Sequence, residues 1–128
     1  MSQKRSSMAA AKLRARALIF AALGDETRLS LVAKLCERQP YSISQLTRGS
    51  RLTRQAITKH LRVLESVGIV HSVRSGRESL FEFDPQPIEG IKEYLDFVSE
   101  QWDQALSRLK SFVEDSVRGA SLQLREHG

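Results

Sequence analysis

Hydrophobic residues recur at intervals of three and four along most of this chain, and at an interval of two over one short stretch. Ala9 to Leu23 is rich in Ala, Leu and Arg without a breaker, which predicts a first helix ended by Gly24. Asp25 offers a cap to a second helix, Asp25 to Arg38, whose buried face would be Leu29, Val32, Leu35 and Cys36, with Gln39-Pro40 closing it. Ser42 or Ser44 can cap a short third helix holding Ile43, Leu46 and Thr47, and Arg48-Gly49-Ser50 supplies turn chemistry. Thr53 then opens a fourth. Ala56, Ile57, Leu61 and Leu64 form its apolar stripe as far as Gly68, and Arg54, Gln55, Thr58, Lys59 and Arg62 form its other face.

After Gly68 the alternation predicts a β-hairpin. Ile69, His71 and Val73 share one side, Arg74-Ser75-Gly76-Arg77 makes the turn, and Phe81 and Phe83 return on the buried face. Pro85 and Pro87 end the strand. From there Ile88, Ile91, Leu95, Val98, Trp102, Ala105, Leu109 and Phe112 alternate steps of three and four, flanked by Tyr94, Leu106 and Val113. A helix from Ile88 to about Asp115 would be roughly 40 Å long at 1.5 Å per residue, with an apolar seam too wide to leave in water. A second copy of the same helix is the economical cover, so these eight seam residues, with Leu18 on the first helix, are the expected dimer interface.

A short helix, a Gly-bearing turn and a second helix with a basic outer face is the helix-turn-helix arrangement, and the hairpin after it is a wing. The expected fold is therefore mainly α with a β-hairpin wing (α+β), a winged helix-turn-helix with a long C-terminal dimerisation helix. The expected organisation is a flexible N-terminus over residues 1–8, the DNA-binding domain over 9–87, the dimerisation helix over 88–117 and a flexible tail over 118–128.

Charge sharpens this picture. The 128 residues carry a net +5, but residues 1–87 hold 15 Lys and Arg against 7 Asp and Glu, while 88–128 hold 5 against 8. Between Pro40 and Arg77 seven basic residues face a single acid, Glu65, the footprint a polyanion partner requires. A composition 41% hydrophobic and 27% charged, with no apolar run near membrane-span length and no signal-peptide pattern, predicts a soluble cytoplasmic protein with no membrane partner. Cys36 is the sole cysteine and can form neither an internal disulfide nor a thiolate cluster; within an apolar stripe, its expected role is a small buried residue.

The partner these residues suit is double-stranded promoter DNA. Base reading is expected from Arg54, Gln55, Thr58 and Arg62, because Arg suits guanine and Gln suits adenine in the major groove. Phosphate contacts are expected from Arg48, Arg51, Thr53, Lys59, Arg74 and Arg77. His60, beside the buried stripe, suits either a phosphate contact or a structural hydrogen bond, and His71 is expected to be a plain strand residue. No Gly-rich phosphate loop, nucleophile motif or pair of catalytic acids occurs, so neither an enzyme nor a cofactor is expected.

Two segments resemble the ArsR family of winged-helix repressors: Leu23-Gly24-Asp25-Glu26-Thr27-Arg28-Leu29, which is similar to the family's L-x-D-x-T-R-L, and Leu52 to Leu64, which is similar to its recognition helix and is followed by Gly68-Ile69-Val70. The resemblance spans about Ala17 to Asp84. It implies a homodimer joined by its first and last helices, which binds an imperfect palindrome in a promoter as a repressor released by a signal. The thiolate motif of the family's metal sensors would fall where this chain reads Ile43-Ser44-Gln45-Leu46-Thr47, and no His occurs between His71 and His127, so no thiolate or histidine metal site is expected. Glu89, Glu93, Asp96, Glu100 and Asp103 leave a hard-ion site open, against a plain solvated face. The releasing signal, including any small-molecule effector, is not legible. The alternatives are a MarR-like regulator, or a winged-helix module whose basic surface meets an acidic protein.

Overall fold

The computed structural model describes the backbone of residues 2–37 and 40–126 and the side chains of 7–37 and 40–119. The element order is α1 (Ser2–Leu23), α2 (Glu26–Leu35), β1 (Tyr41–Ser42), α3 (Ile43–Thr47), α4 (Arg54–Ser66), β2 (Val70–Ser75), β3 (Glu78–Phe83) and α5 (Gln86–Glu126). The chain divides into two compact units, one ending at Ile91 and one starting at Lys92.

The starts of α2, α3 and α4 are each fixed by a side chain. Asp25 accepts from the Arg28 N–H, Ser42 from the Gln45 N–H, and Thr53 from the Ala56 N–H. At α3 the cap is reciprocal, because Gln45 Oε1 accepts from the Ser42 N–H at 2.9 Å. The decisive stop is at the end of α4. Gly68 adopts φ +79°, its N–H reaches the Glu65 carbonyl at 3.0 Å, and the Ile69 N–H reaches the Leu64 carbonyl at 3.1 Å. That double closure needs a left-handed residue, which only glycine adopts without strain, and it turns the chain from α4 to the hairpin within three residues.

The core of the first unit gathers Ala22 from α1, Leu31 and Leu35 from α2, Leu46 from α3, Ile57, Leu61 and Leu64 from α4, then Ile69, Val70 and Phe81. Ile57, Leu61 and Leu64 lie at spacings of four and three, so one stripe of α4 is fully committed inward and the opposite side is left for solvent or a ligand.

Several sequence expectations are corrected. α1 begins at Ser2, since nothing between Ser2 and Leu23 breaks a helix, so residues 2–8, expected as a loose lead-in, are helical; Met1 lies outside the described residues. Helix α2 ends at Leu35, before the expected Gln39-Pro40 stop, of which Gln39 (like Arg38) lies outside the described residues. Its buried pair is Leu31 and Leu35. Cys36 sits past the last turn as the C-cap and is exposed, and Leu29, about 200° around the helix from Leu31, is exposed too.

The wing is three-stranded, in the order β1-β3-β2, because the two residues before α3 pair with β3 (Tyr41↔Phe81, Ser42↔Leu80). The period of β2 is as expected but its phase is shifted by one. Val70 opposes Phe83 and Ser72 opposes Phe81, so Val70 is the buried strand residue while His71 and Val73 face outward. Ile69 is buried just ahead of the strand rather than within it.

Helix α5 starts with Pro87 in its first turn, where a missing N–H does no harm, and continues to Glu126, past the expected end at 117; residues 127–128 lie outside the described residues. Ile88 and Ile91, expected at a dimer interface, belong to the first unit: Ile91 is buried, and Ile88 is half-buried and packs on the core.

Candidate nucleic-acid interface

With Thr53 as its cap and Ile57, Leu61 and Leu64 inward, α4 leaves Arg54, Gln55, Lys59 and Arg62 exposed. Thr58 is half-buried. Its hydroxyl donates to the Arg54 carbonyl at 2.7 Å, so the methyl is the part left for contact, chemistry that suits a thymine methyl rather than a base-edge hydrogen bond. These residues divide between two faces. Gln55 and Lys59 stand on the crest of the helix, whereas Arg54, Thr58 and Arg62, one turn apart, flank the sheet.

Two adjoining depressions form a trough between α4 and the wing. One, of about 160 Å³, is lined by Ile43, Thr58, Arg62, Glu65, Ser72, Ser79 and Phe81. The other, of about 250 Å³, is lined by Ser42, Ile43, Ser44, Arg54, Arg77, Glu78 and Ser79. The structure thus brings Arg54, Thr58 and Arg62 together with Arg77 from the wing. It adds three hydroxyls that sequence reasoning missed: Ser44, Ser72 and Ser79. Ser72 and Arg74 occupy alternate positions on one face of β2, and the register carries Ser79 to the same face, so correct phasing of the strand would have found Ser72 and Ser79. Arg74 and Arg77 flank the hairpin turn and are exposed, with Gly76 at φ +64° between them.

Arg48 and Arg51 are exposed but stand apart from the trough. Arg48 lines a separate cleft of about 260 Å³ with Thr27, Ser30, Lys34 and Ser50. His60 is on the flank of α4 that faces α2, not on the crest. Its Nδ1 lies 3.2 Å from Arg28 Nη1 and 3.8 Å from Asp25 Oδ2. Both contacts cannot be hydrogen bonds of one protonation state. Arginine only donates, so at 3.2 Å Nδ1 accepts from it, which leaves the ring proton on Nε2; the longer carboxylate contact would instead need a proton on Nδ1. Asp25 titrates below the ordinary carboxylate range, held there first by the Arg28 N–H and also by the charge of Arg28, against some desolvation.

His71 has a partner after all: Nε2 lies 2.8 Å from Asp84 Oδ2, while Asp84 Oδ1 accepts from the Gln86 N–H at 3.0 Å at the start of α5. The Gln86 N–H first, and His71 second, lower the Asp84 pKa.

In the second unit Leu95, Val98, Trp102, Leu109 and Phe112 are exposed, Trp102 at 63% and Phe112 at 70%, and Ala105 is half-buried. Phe97, Leu106, Val113 and Val117 add to the apolar surface; on α1 Leu18 is exposed as well. Among the described residues no three His, Cys, Asp or Glu gather as metal ligands, and no helix is long and apolar enough to cross a membrane.

A family model described as bacterial regulatory protein, arsR family, matches residues 25–72. An uncharacterized HTH-type transcriptional regulator of Bacillus subtilis, YuzN, is 39% identical over 79 residues, covering 57% of this chain and 86% of the relative. An ArsR-like transcriptional regulator from Rhodococcus sp. RHA1 superposes with a TM-score of 0.68 at 34% identity, over 78% of this chain and 93% of that one. The homodimeric winged helix-turn-helix DNA-binding domain of a Mycobacterium bovis protein shares the fold, with a TM-score of 0.58 at 18% identity over 72% of this chain and 84% of that one.

Proposed function

Because the chain belongs to the ArsR family of bacterial transcriptional regulators, whose winged helix-turn-helix binds DNA, we propose that it is a homodimeric repressor that reads an imperfect palindrome in promoter DNA. The observation that carries the reading is the division of labour on α4: one stripe is fully buried, and the opposite side presents Arg54, Gln55, Lys59 and Arg62 beside a trough lined by wing hydroxyls and Arg77. Gln55 and Arg54 are the base readers, Thr58 offers its methyl, and Arg62 reaches bases or backbone from the trough. Lys59, Arg74 and Arg77 neutralise phosphates, with Arg48, Arg51 and the Thr53 end of α4 on the backbone beside them. His60 acts through its structural hydrogen bond rather than on phosphate.

Dimerisation is supported by the exposed seam of α5, an apolar surface a soluble protein does not leave open, and by the homodimeric state of the Mycobacterium bovis relative. A two-fold pairing would set two recognition helices one duplex turn apart, about 34 Å, which is why a palindrome is the expected site. The releasing signal is not a thiolate-bound metal, since Cys36 stands alone and α3 carries no cysteine.

The test is titration of promoter duplexes at two salt concentrations. Steep salt dependence with preference for one palindrome supports the reading. Equal binding to every duplex, or to none, overturns it and favours the protein-interaction module.

A further inference from the structure

Within the motif Asp25-Glu26-Thr27-Arg28, Arg28 on α2 reaches both α1 and α4. Its Nε donates to the Ala22 carbonyl and its Nη2 to the Ala21 carbonyl at 3.5 Å, both near the end of α1, while Nη1 donates to His60 Nδ1 on α4 at 3.2 Å. Its own N–H is held by the Asp25 cap at 3.0 Å. This side-chain hydrogen bond ties α4 to α1 and α2. Beside it at the junction Ile57, Leu61 and Leu64 pack in the core, and hydrophobic burial of itself is non-directional.

The geometry points to Arg28 as a positioning residue for base recognition: held by the α1 carbonyls, its guanidinium fixes His60 as the Nε2–H tautomer and thereby sets the rotation of α4 about its own axis. This rests on the DNA-binding reading above. Rotation matters unequally to the two parts of DNA binding. Attraction to phosphates tolerates a few degrees, because it falls slowly with distance, whereas a bidentate contact from Arg54 or Gln55 to a base edge does not. The clasp therefore acts on the preference for one sequence over another and leaves general affinity for duplex alone.

The experiment uses the full chain and a duplex that the protein itself selects from a random pool, compared with a scrambled duplex. His60→Leu removes the acceptor; His60→Asn keeps an acceptor near the Nδ1 position; Arg28→Met removes the donor. The ratio of specific to scrambled affinity is expected to fall about tenfold in His60→Leu and Arg28→Met, the size of one charge-assisted hydrogen bond, and to stay within about threefold of the parent in His60→Asn. Scrambled-duplex affinity of His60→Leu should be unchanged. The comparison of Arg28→Met with the parent survives if His60→Leu fails to fold. Equal ratios in the parent and both disruptive variants, or a loss in His60→Asn as large as in His60→Leu, would overturn the proposal. The nitrogen-15 spectrum of the parent at pH 8 tests the clasp without DNA: a proton on His60 Nδ1 overturns it. A parent protein that selects no sequence rejects the functional reading and with it the role in recognition, while the spectrum still decides the tautomer.

Discussion

Replacing Trp102 by Ala should weaken the proposed dimer, and the structure sets the scale. An indole buries roughly 200 Å² when fully covered, and Trp102 is 63% exposed in the single chain, so about 130 Å² remains to be removed from water. At about 25 cal/mol per Å² this is an upper bound of about 3 kcal/mol per copy, and a two-fold interface loses it twice. Coverage is incomplete and alanine keeps a share, so about half that bound, 3 kcal/mol per dimer, is a realistic loss. That corresponds to a rise of about a hundredfold in the dimer dissociation constant. Sedimentation equilibrium over a concentration series measures it directly, with Cys36→Ala as a control away from the seam. A parent chain that stays monomeric at tens of micromolar, or a Trp102→Ala chain that dimerises as tightly as the parent, would refute the assignment of this surface.

Three further outcomes are expected. Gln55→Ala should relax the choice of base at one position of the site at a cost of about 1–3 kcal/mol, whereas Arg77→Ala should weaken all duplexes alike and lower the logarithmic salt slope by about one; affinity for single-base variants at two salt concentrations separates the two. Gly68→Ala should destabilise the fold by about 1–2 kcal/mol, seen as a lower melting temperature, because the φ of +79° is strained for any residue with a Cβ, while the nearest atom that Cβ would meet, Pro87 Cγ at 3.6 Å, is at ordinary contact distance. Asp84 has a folded-state pKa below its unfolded value, so its contribution is complete above the ordinary carboxylate value of about 3.9 and is lost as pH falls through the lower, folded one; acid titration of the melting temperature should show this limb in the parent and flatten it in Asp84→Asn.

The helix-turn-helix was legible because its information is local. Thr53 caps the residues that follow it, Ile57, Leu61 and Leu64 mark the inward side four and three apart, and Gly68 ends the helix it adjoins. What escaped the sequence depends on partners far along the chain. Strand β1 is two residues long, too short to show a period, and exists because β3 arrives to pair with it. The phase of β2 was misjudged because Ile69 is buried by the turn that precedes the strand, which made it look like the first inward position. The Arg28–His60 contact joins residues 32 positions apart, and polar residues carry no periodic trace of such a bond. Ile88 and Ile91 continue the spacing of the α5 seam without a flaw, yet Ile88 packs on the domain's own core and Ile91 is buried within the chain, since periodicity names a face and not what covers it.

The third strand has a mechanical consequence. β1 braces β3 only at Leu80 and Phe81, so the hairpin is anchored at its base, and the ribbon from Arg74 and Ser75 to Glu78 and Ser79 projects as a two-stranded cantilever. Ribbons of two strands twist more readily than wider sheets. The compliance is concentrated where Arg74 and Arg77 sit, so the arm can bend to follow a groove narrower or wider than average while the recognition helix beside it keeps its seat.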